Sequence, residues 1–424
     1  MPVDLVTYEK YQELPPSPLR ALMDEAVERK PQGAAMAAGA EPAHAGEFAQ
    51  IRMDGQNQCP LLTSDRLCRI HAELGEGLLS DACSTYPRIT HSSSGLKETA
   101  LALSCPEAAR LVLLTPDLLG SKLVGTRGSA MKNKAGETVS RDSADKRESP
   151  LPPDFWQIRA VVGSLVLNRL CPVWQRLFLL DILCRRLDSI ARGELKRSTA
   201  EFLVDFEATV ASGALRAAMD TLPLDREAQL DVVLRLAGLL LHRSNVRPRF
   251  AECIQAFTAG IGNGPGATIE SLTAQYTVAH DSSYEPFFRR HPHIVENYLI
   301  NTMVRCRFPF GRDGMKAGAQ PQMARESALL TAQFALVKGL LIGVAGFHGP
   351  AFSAAHVVHT VQSAAKHFEH HPEFLNMAHG LLVESQMNGA RGLAILLRNA
   401  RPGSPAAIPP AINVPRPSLS TPPA

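Results

Sequence analysis

Four cysteines in the first quarter of the sequence are of a type and number that could bind a metal. They are Cys59, Cys68, Cys83 and Cys105, separated by 8, 14 and 21 intervening residues. Four thiolates suffice for a zinc site or for an iron–sulfur cluster. These intervals match no zinc-finger spacing, so on spacing alone metal binding and plain burial in a helical core are both open.

The sequence around these cysteines favours a charged thiolate. A helix is predicted from Pro106 to about residue 114, and Cys105 stands at its start, where the helix dipole would lower the pKa of a thiol. Arg69 and Arg88 lie close in sequence to two of the other cysteines and could offset the negative charge of a thiolate-bound metal. The four cysteines are therefore our candidate metal ligands.

The cysteine content and the N-terminal sequence indicate the cellular compartment of the protein. The first residues, MPVDLVTYEKYQELPPS, contain no basic segment followed by an apolar one, so no secretory signal is expected. Eight cysteines in a large chain outside the secretory pathway argue against a disulfide framework. We therefore expect a cytoplasmic protein with reduced thiols.

Charge and hydropathy exclude two classes of partner. Lys and Arg number 44 against 41 Asp and Glu, which predicts no broad surface for nucleic acid. The most apolar stretch, residues 328–346, is interrupted by Thr331, Gln333 and Lys338. This stretch suits a buried helix better than a bilayer span, so no membrane association is predicted.

The periodicity of apolar residues predicts a mostly α-helical protein. Between positions 173 and 187, apolar residues recur at intervals of 4, 3, 4 and 3, which places them on one helix face. Further helices are predicted over 198–219, 225–243, 248–259, 267–277, 291–306, 324–345, 353–371 and 373–398. The predicted organisation is a cysteine-cluster domain (1–125), a disordered linker (126–153), a larger all-helical domain (154–399) and a proline-rich disordered tail (400–424).

A second group of residues could recognise an ammonium group. Glu296, Asn297 and Tyr298 offer a carboxylate, an amide and a phenol side by side, and Phe308 and Phe310 add aromatic surface. Recognition would use charge pairing with the carboxylate and cation–π contact with the aromatic rings. Capping and packing of a helix is an equally good explanation.

Four histidines recur at helical spacing in the segment 353–371. Neutral imidazoles at His356, His359, His367 and His370 could bind a metal or act as a general base. A solvated helix face is the simpler interpretation. The glycines between 260 and 266 invite comparison with a nucleotide-binding loop, but the helix-like sequence before them favours a loop between helices.

Three segments, in the same order along the chain, resemble the flagellin lysine-N-methylase family. Residues 59–111 resemble the second half of that family's cysteine-cluster region, HPHIVENYLINTMVRCRFPFG (291–311) resembles a family hallmark, and AKHFEHHPEFL (365–375) is also similar. The resemblance implies lysine methylation of flagellin, with S-adenosylmethionine as methyl donor and a cysteine-ligated iron–sulfur cluster, of the 4Fe–4S kind. It also implies that Glu296, Asn297, Tyr298 and His370 belong to the site.

This chain departs from the family in one respect. Members begin with a dense group of cysteines, whereas no cysteine precedes Cys59 here. Either the start lies further upstream, or this member has lost those ligands. Two alternatives therefore stand beside the enzyme: a non-enzymatic helical interaction protein that binds structural zinc or an iron–sulfur cluster, and an inactive, truncated relative.

Overall fold

Helices dominate the chain, in agreement with the predicted mostly α class. The structure, a computed structural model, describes residues 1–30, 48–55, 58–93, 96–118, 131–132, 138–139, 151–241, 246–316, 318–320, 322–369, 371 and 373–398. Most of the predicted linker and the whole of the predicted tail lie outside these residues. The chain divides into two units, Met1–Ile89 and Thr90–Ala424.

The first unit combines short helices with a small sheet. Its elements are β1 (Pro2–Val3), α1 (Leu5–Gln12), α2 (Pro18–Ala26), β2 (Val27–Arg29), β3 (Ala49–Ile51) and α3 (Asp81–Thr85). The antiparallel sheet has the order β1-β3-β2. Asp4 and Ser17 cap α1 and α2 by accepting hydrogen bonds from backbone amides. Helix α2 ends at Ala26, because the next three residues pair with β3 in the sheet.

The second unit begins with a β-hairpin and continues almost entirely in helices. The hairpin pairs β4 (Arg88–Ser93), which starts just before the unit boundary, with β5 (Leu96–Leu101). The helices are α4 (Pro106–Leu114), α5 (Phe155–Val166), α6 (Val173–Ala191), α7 (Thr199–Ser212), α8 (Ala214–Asp220), α9 (Arg226–Leu241), α10 (Pro248–Gly260), α11 (Ile269–Ala279), α12 (Glu285–Arg290), α13 (Pro292–Cys306), α14 (Met323–His348), α15 (Ala354–Phe368), α16 (Phe374–Glu384) and α17 (Ala390–Leu397). Two short strands, β6 (Met131–Lys132) and β7 (Thr138–Val139), pair between α4 and α5.

Helix α6 has the face that the periodicity predicts. It begins directly after Pro172, and Leu177, Leu180, Cys184 and Leu187 are all buried. The loop of glycines after α10 connects two helices, as expected, with Gly262 and Gly266 at positive φ. These positions suit glycine because other residues rarely adopt that conformation.

Helix α14 lies in the core of the second unit. Among the described helices it is long and apolar enough to cross a membrane, but its most apolar window is 100% buried. The predicted buried helix is therefore confirmed. Helix α10 packs so closely against α14 that a Cβ at Gly343 would lie 2.6 Å from the carbonyl oxygen of Phe257. Only glycine at this position allows the two helices to approach so closely.

Candidate functional site

Three of the four candidate cysteine ligands lie in the first unit. Cys59 follows β3, Cys68 forms an isolated β-bridge with Leu62, and Cys83 lies within α3. All three are free thiols and half-buried. Burial raises the pKa of the Cys59 thiol, and nearby Cys83 and Cys68 raise it further. The neutral form of the Cys59 thiol is therefore favoured unless a cation compensates the charge of its thiolate.

A buried phenol completes this group. Tyr11 is only 2% exposed, and its hydroxyl has no hydrogen-bond partner within the described part of the chain. Burial raises the pKa of Tyr11, and the charges of Cys83, Asp4, Cys68 and Cys59 raise it further. A buried hydroxyl without a partner is uncommon and suggests an acceptor that protein atoms do not provide. We refer to Cys59, Cys68, Cys83 and Tyr11 as the thiol group.

Cys105 belongs to the second unit. It is the N-cap residue of α4, which runs over the predicted residues 106–114. Its charge raises the pKa of Lys366, although burial has the larger, opposite effect and lowers that pKa overall. Among the described residues, no three side chains of His, Cys, Asp or Glu are arranged to hold a metal ion. The three sulfur atoms of the thiol group thus suit a soft metal chemically, but no ligand set is assembled among the residues that the structure describes.

Glu296, on α13, is bound by two arginines from another part of the chain. Its side chain is 3% exposed, and Arg169 Nη2 and Arg176 Nη1 each lie 2.7 Å from a carboxylate oxygen. Arg176 also donates to the carbonyl oxygens of Cys171 and Val166. The carboxylate therefore joins α13 to α6 and to the turn that precedes it.

Asn297 and Tyr298 also point into the protein. The Asn297 amide donates to the carbonyl oxygen of Thr115, 2.7 Å away, which is the C-cap of α4. Tyr298 is buried, burial raises its pKa, and its hydroxyl has no partner among the described residues. Tyr298 lines a narrow apolar cavity of ≈ 20 Å³, enough for about one water molecule.

The same cavity is lined by Lys338 of α14. Burial lowers the pKa of Lys338 to about 7, and the positive charge of Arg226 contributes to the shift. Its ammonium donates to the carbonyl oxygen of Leu397 at 2.6 Å, in the last turn of α17. Lys338 therefore binds the negative end of the α17 dipole.

The four candidate histidines have different surroundings. His367 is buried, its ring stacks on Phe250 at 4.1 Å, and its Nδ1 bonds to the Ser363 carbonyl oxygen at 2.8 Å. His356 and His359 instead line an open pocket. His370 lies outside the described residues. The structure thus places one of these histidines in the core and two at a surface pocket.

This histidine pocket has a volume of ≈ 330 Å³ and lies between three helices. It is lined by Glu252, Cys253 and Ala256 of α10, Val344, Phe347 and His348 of α14, and His356, His359 and Thr360 of α15. The rings of His348 and His356 stack with centroids 3.8 Å apart and planes inclined by 13°. Sequence reasoning missed His348 and Glu252, because each stands alone in its own helix and only the fold brings them to the other histidines.

A comparison with known protein families gives a match in the second unit. A model of the FliB lysine N-methylase C-terminal domain matches residues 159–396, more than half of the chain. This chain belongs to the FliB lysine N-methylase family. The part that matches the FliB domain contains α13, α14 and the histidine pocket, and it contains none of the four candidate cysteine ligands.

Relatives of this FliB-family chain are similar over short segments. It is 40% identical over 76 residues to the flagellar biosynthetic protein FliU of Salmonella muenchen. The aligned segment covers 18% of this chain and 45% of FliU. It is 41% identical over 61 residues to the lysine-N-methylase of Salmonella typhimurium. That aligned segment covers 14% of this chain and 15% of that enzyme. The chain thus spans less than half the length of these relatives. No solved structure matches it.

Proposed function

We propose that this FliB-family protein transfers methyl groups from S-adenosylmethionine to lysine ε-amino groups of flagellin, in the cytoplasm. The observation that carries the proposal is the match of residues 159–396 to the lysine N-methylase C-terminal domain. The names of the two relatives, a lysine-N-methylase and a flagellar biosynthetic protein, support the reaction and the kind of partner.

We propose Glu296, Asn297, Tyr298 and His370 as residues of the site, with different tasks. Glu296 and Asn297 are hydrogen-bonded to other elements, so their task would be to position α13. Tyr298 offers a buried hydroxyl without a partner in the described structure. Replacing Tyr298 with Phe removes only that hydroxyl and would lower activity without unfolding the protein, because the ring still fills its place.

We propose Cys59, Cys68, Cys83 and Cys105 as ligands of an iron–sulfur cluster, with zinc as the alternative metal. The support is chemical and covers the three cysteines of the first unit: their half-buried thiols lie near the Tyr11 phenol, whose hydroxyl has no hydrogen-bond partner among the described residues. Such a cluster would supply a redox-active iron centre at these thiolates. Because no ligand set is assembled among the described residues, we assign no catalytic step to it.

The methylation proposal is tested with purified protein, S-adenosylmethionine labelled in its methyl group, and flagellin. Label in flagellin, located on lysine by peptide mass spectrometry, is the expected result. Flagellin whose lysines are all replaced by arginine is the matched control and stays unlabelled. Absence of label in native flagellin, from protein purified both with and without air, contradicts the proposal.

The metal proposal is tested separately by anaerobic purification with iron, sulfide and zinc analysis. Iron and sulfide, lost in the Cys68→Ser variant and retained in a Cys171→Ala control, would support the cluster. Stoichiometric zinc without iron would favour the structural-zinc alternative. The control cysteine lies buried beside α6, away from the thiol group in sequence.

A further inference from the structure

We propose that the histidine pocket receives the acceptor lysine and that His348 takes the proton which the lysine ammonium must lose. This inference rests on the proposed function and adds the location of its acceptor. It starts from a chemical requirement: lysine has a pKa near 10.4, so at neutral pH nearly every ε-amine is protonated and lacks the lone pair needed for attack.

Hydrogen bonds in the pocket determine which imidazole can accept a proton. The backbone amide of Ser353 donates to His356 Nδ1 at 3.1 Å, and Arg249 Nε donates to His359 Nε2 at 3.3 Å. The acceptor nitrogen of each neutral ring is therefore already occupied, and the other nitrogen carries the proton. The structure describes no such hydrogen bond to His348, so this ring has a nitrogen available as a base.

The lining of the pocket suits a long cationic side chain. The Glu252 carboxylate, 63% exposed, lies at the pocket and can pair with an entering ammonium. Phe347 is 55% exposed, and with the stacked rings of His348 and His356 it forms an aromatic wall. Aromatic faces attract ammonium groups, and they become more effective as water is excluded.

The charges around the pocket also favour a cation. Burial lowers the pKa of His356, as do the charges of His348 and His359. Burial lowers the pKa of His359, and Arg249 lowers it further, whereas Glu252 opposes the shift. These two imidazoles therefore stay neutral at neutral pH. Arg249 of α10 is the positive group beside this pocket, where it donates to His359, and the Glu252 carboxylate of the same helix lies 3.9 Å from the same imidazole nitrogen.

The step balances with a sulfonium methyl donor as co-reactant. One N–H bond of the lysine ammonium breaks, and its proton moves to the free ring nitrogen of His348. The nitrogen lone pair then attacks the methyl carbon, a C–N bond forms, and the C–S bond breaks with its electron pair left on sulfur. The sulfonium becomes a neutral thioether, and the methylated nitrogen carries the positive charge.

A second pocket cannot take part in the same reaction. It has a volume of ≈ 420 Å³ and is lined by Asp154, Phe310, Lys316 and Met323, among others, at the opposite end of α14. Helix α14 has 26 residues, so its ends are separated by roughly 35–39 Å. Methyl transfer needs donor and acceptor in contact, so the donor's methyl group must reach the histidine pocket itself.

The pH dependence of a His348→Gln variant tests the role of the imidazole. In the wild type, the rate with flagellin should be nearly flat from about pH 7 to pH 9, because His348 and lysine exchange a proton within the complex. In the variant, the amine must lose its proton to water before binding, so the rate should rise about tenfold per pH unit. At pH 7 the variant should be slower by on the order of 10–100-fold.

Two controls keep the test specific. His379→Gln, on α16 and outside the pocket, should keep the wild-type profile. Glu252→Gln should raise KM for flagellin several-fold and change kcat little. An active wild type whose His348→Gln variant has the same rate and the same pH profile overturns the assignment of His348, while the proposed function stands.

Binding separates failure of this inference from failure of the proposed function. The probe is Nα-acetyl-lysine methylamide, compared with its norleucine analogue, titrated into the full chain with the histidine ring signals followed by NMR. Lysine-specific shifts of the His348 ring, weakened by Glu252→Gln, support the pocket even if no methyl transfer is found. Equal responses to both probes, or none, overturn it even if methylation occurs.

Discussion

At the scale of single residues, Glu296 is bound through both carboxylate oxygens by Arg169 and Arg176. A buried ion pair loses much of its stabilising effect to desolvation, but removing one partner leaves an uncompensated charge. Arg176 is buried and has Glu296 as its anionic partner. The carboxylate is therefore needed for the fold, whatever else it does.

We expect Glu296→Ala to lower the free energy of unfolding by roughly 3–5 kcal/mol, because it leaves the Arg176 guanidinium buried without an anion. Urea unfolding followed by circular dichroism measures this. The matched control is Glu107→Ala, which removes an exposed partner of Arg110 and should leave the unfolding midpoint nearly unchanged. A stable Glu296→Ala protein that had lost methylation would instead indicate direct participation in chemistry.

Lys338 gives the second prediction at this scale. Its folded-state pKa, about 7, lies below the unfolded value near 10.4. Between these values the unfolded chain binds more protons than the folded one, so this group makes the protein more stable as pH rises from about 7 to 10. Urea unfolding at pH 7 and pH 9 of the wild type and of Lys338→Met measures the contribution. A pH dependence unchanged by the substitution would contradict the shifted pKa.

At the scale of elements, the Asn301 side chain of α13 binds the end of the β4–β5 hairpin. The Asn301 amide donates to the Leu101 carbonyl oxygen at 2.8 Å, and its oxygen accepts from the Leu101 amide at 2.9 Å. Asn301 thus satisfies both backbone groups of a residue at the end of β5, as a neighbouring strand would.

Asn301→Ala should leave both Leu101 backbone groups without their partner and cost about 1–3 kcal/mol. Hydrogen exchange is the more specific measurement, because protection of the Leu101 amide should fall while amides in α14 keep theirs. Equal loss of protection throughout the second unit would mean that the substitution acts on global stability rather than on the attachment of the hairpin.

Elements were predicted well where periodicity and capping operate within one segment. Helices α10 and α13 begin and end within a residue or two of their predicted bounds, and α4 begins at Pro106 as expected. The strands of the first unit were not predicted, because two or three residues are too few to show alternation. They are formed by pairing between segments distant in sequence.

The candidate site was predictable only in part, for the same reason. The types of the cysteines and of Glu296 suggested chemistry, but their partners could not be found along the sequence. Arg176 lies 120 residues from Glu296, and Arg249 lies 110 residues from His359. The type of a residue predicts which chemistry its side chain can perform. Only the packing of the helices determines whether that side chain is already hydrogen-bonded or ion-paired within the protein.

At the scale of the whole molecule, the close crossing of α10 and α14 depends on glycine. We expect Gly343→Ala to destabilise the protein by about 1–3 kcal/mol or more, because its methyl group would overlap Phe257. Gly238→Ala in α9 is the matched control, since a Cβ there meets nothing within 4 Å. It should instead be neutral or stabilising by up to about 1 kcal/mol. Thermal unfolding of the two variants measures the difference. Equal changes in their unfolding temperatures would contradict the packing argument.

Helix α4 has a consequence for how this domain can be inherited or expressed. Its Ala109, Val112 and Leu113 belong to the same hydrophobic core as α13 and α15, yet they precede the region of family similarity, which begins at residue 159. A gene fragment starting at residue 159 would encode a protein with an apolar face exposed, prone to aggregate. A fragment that keeps this core complete therefore has to start before α4, so recombination at the boundary of the similarity would separate residues that pack together.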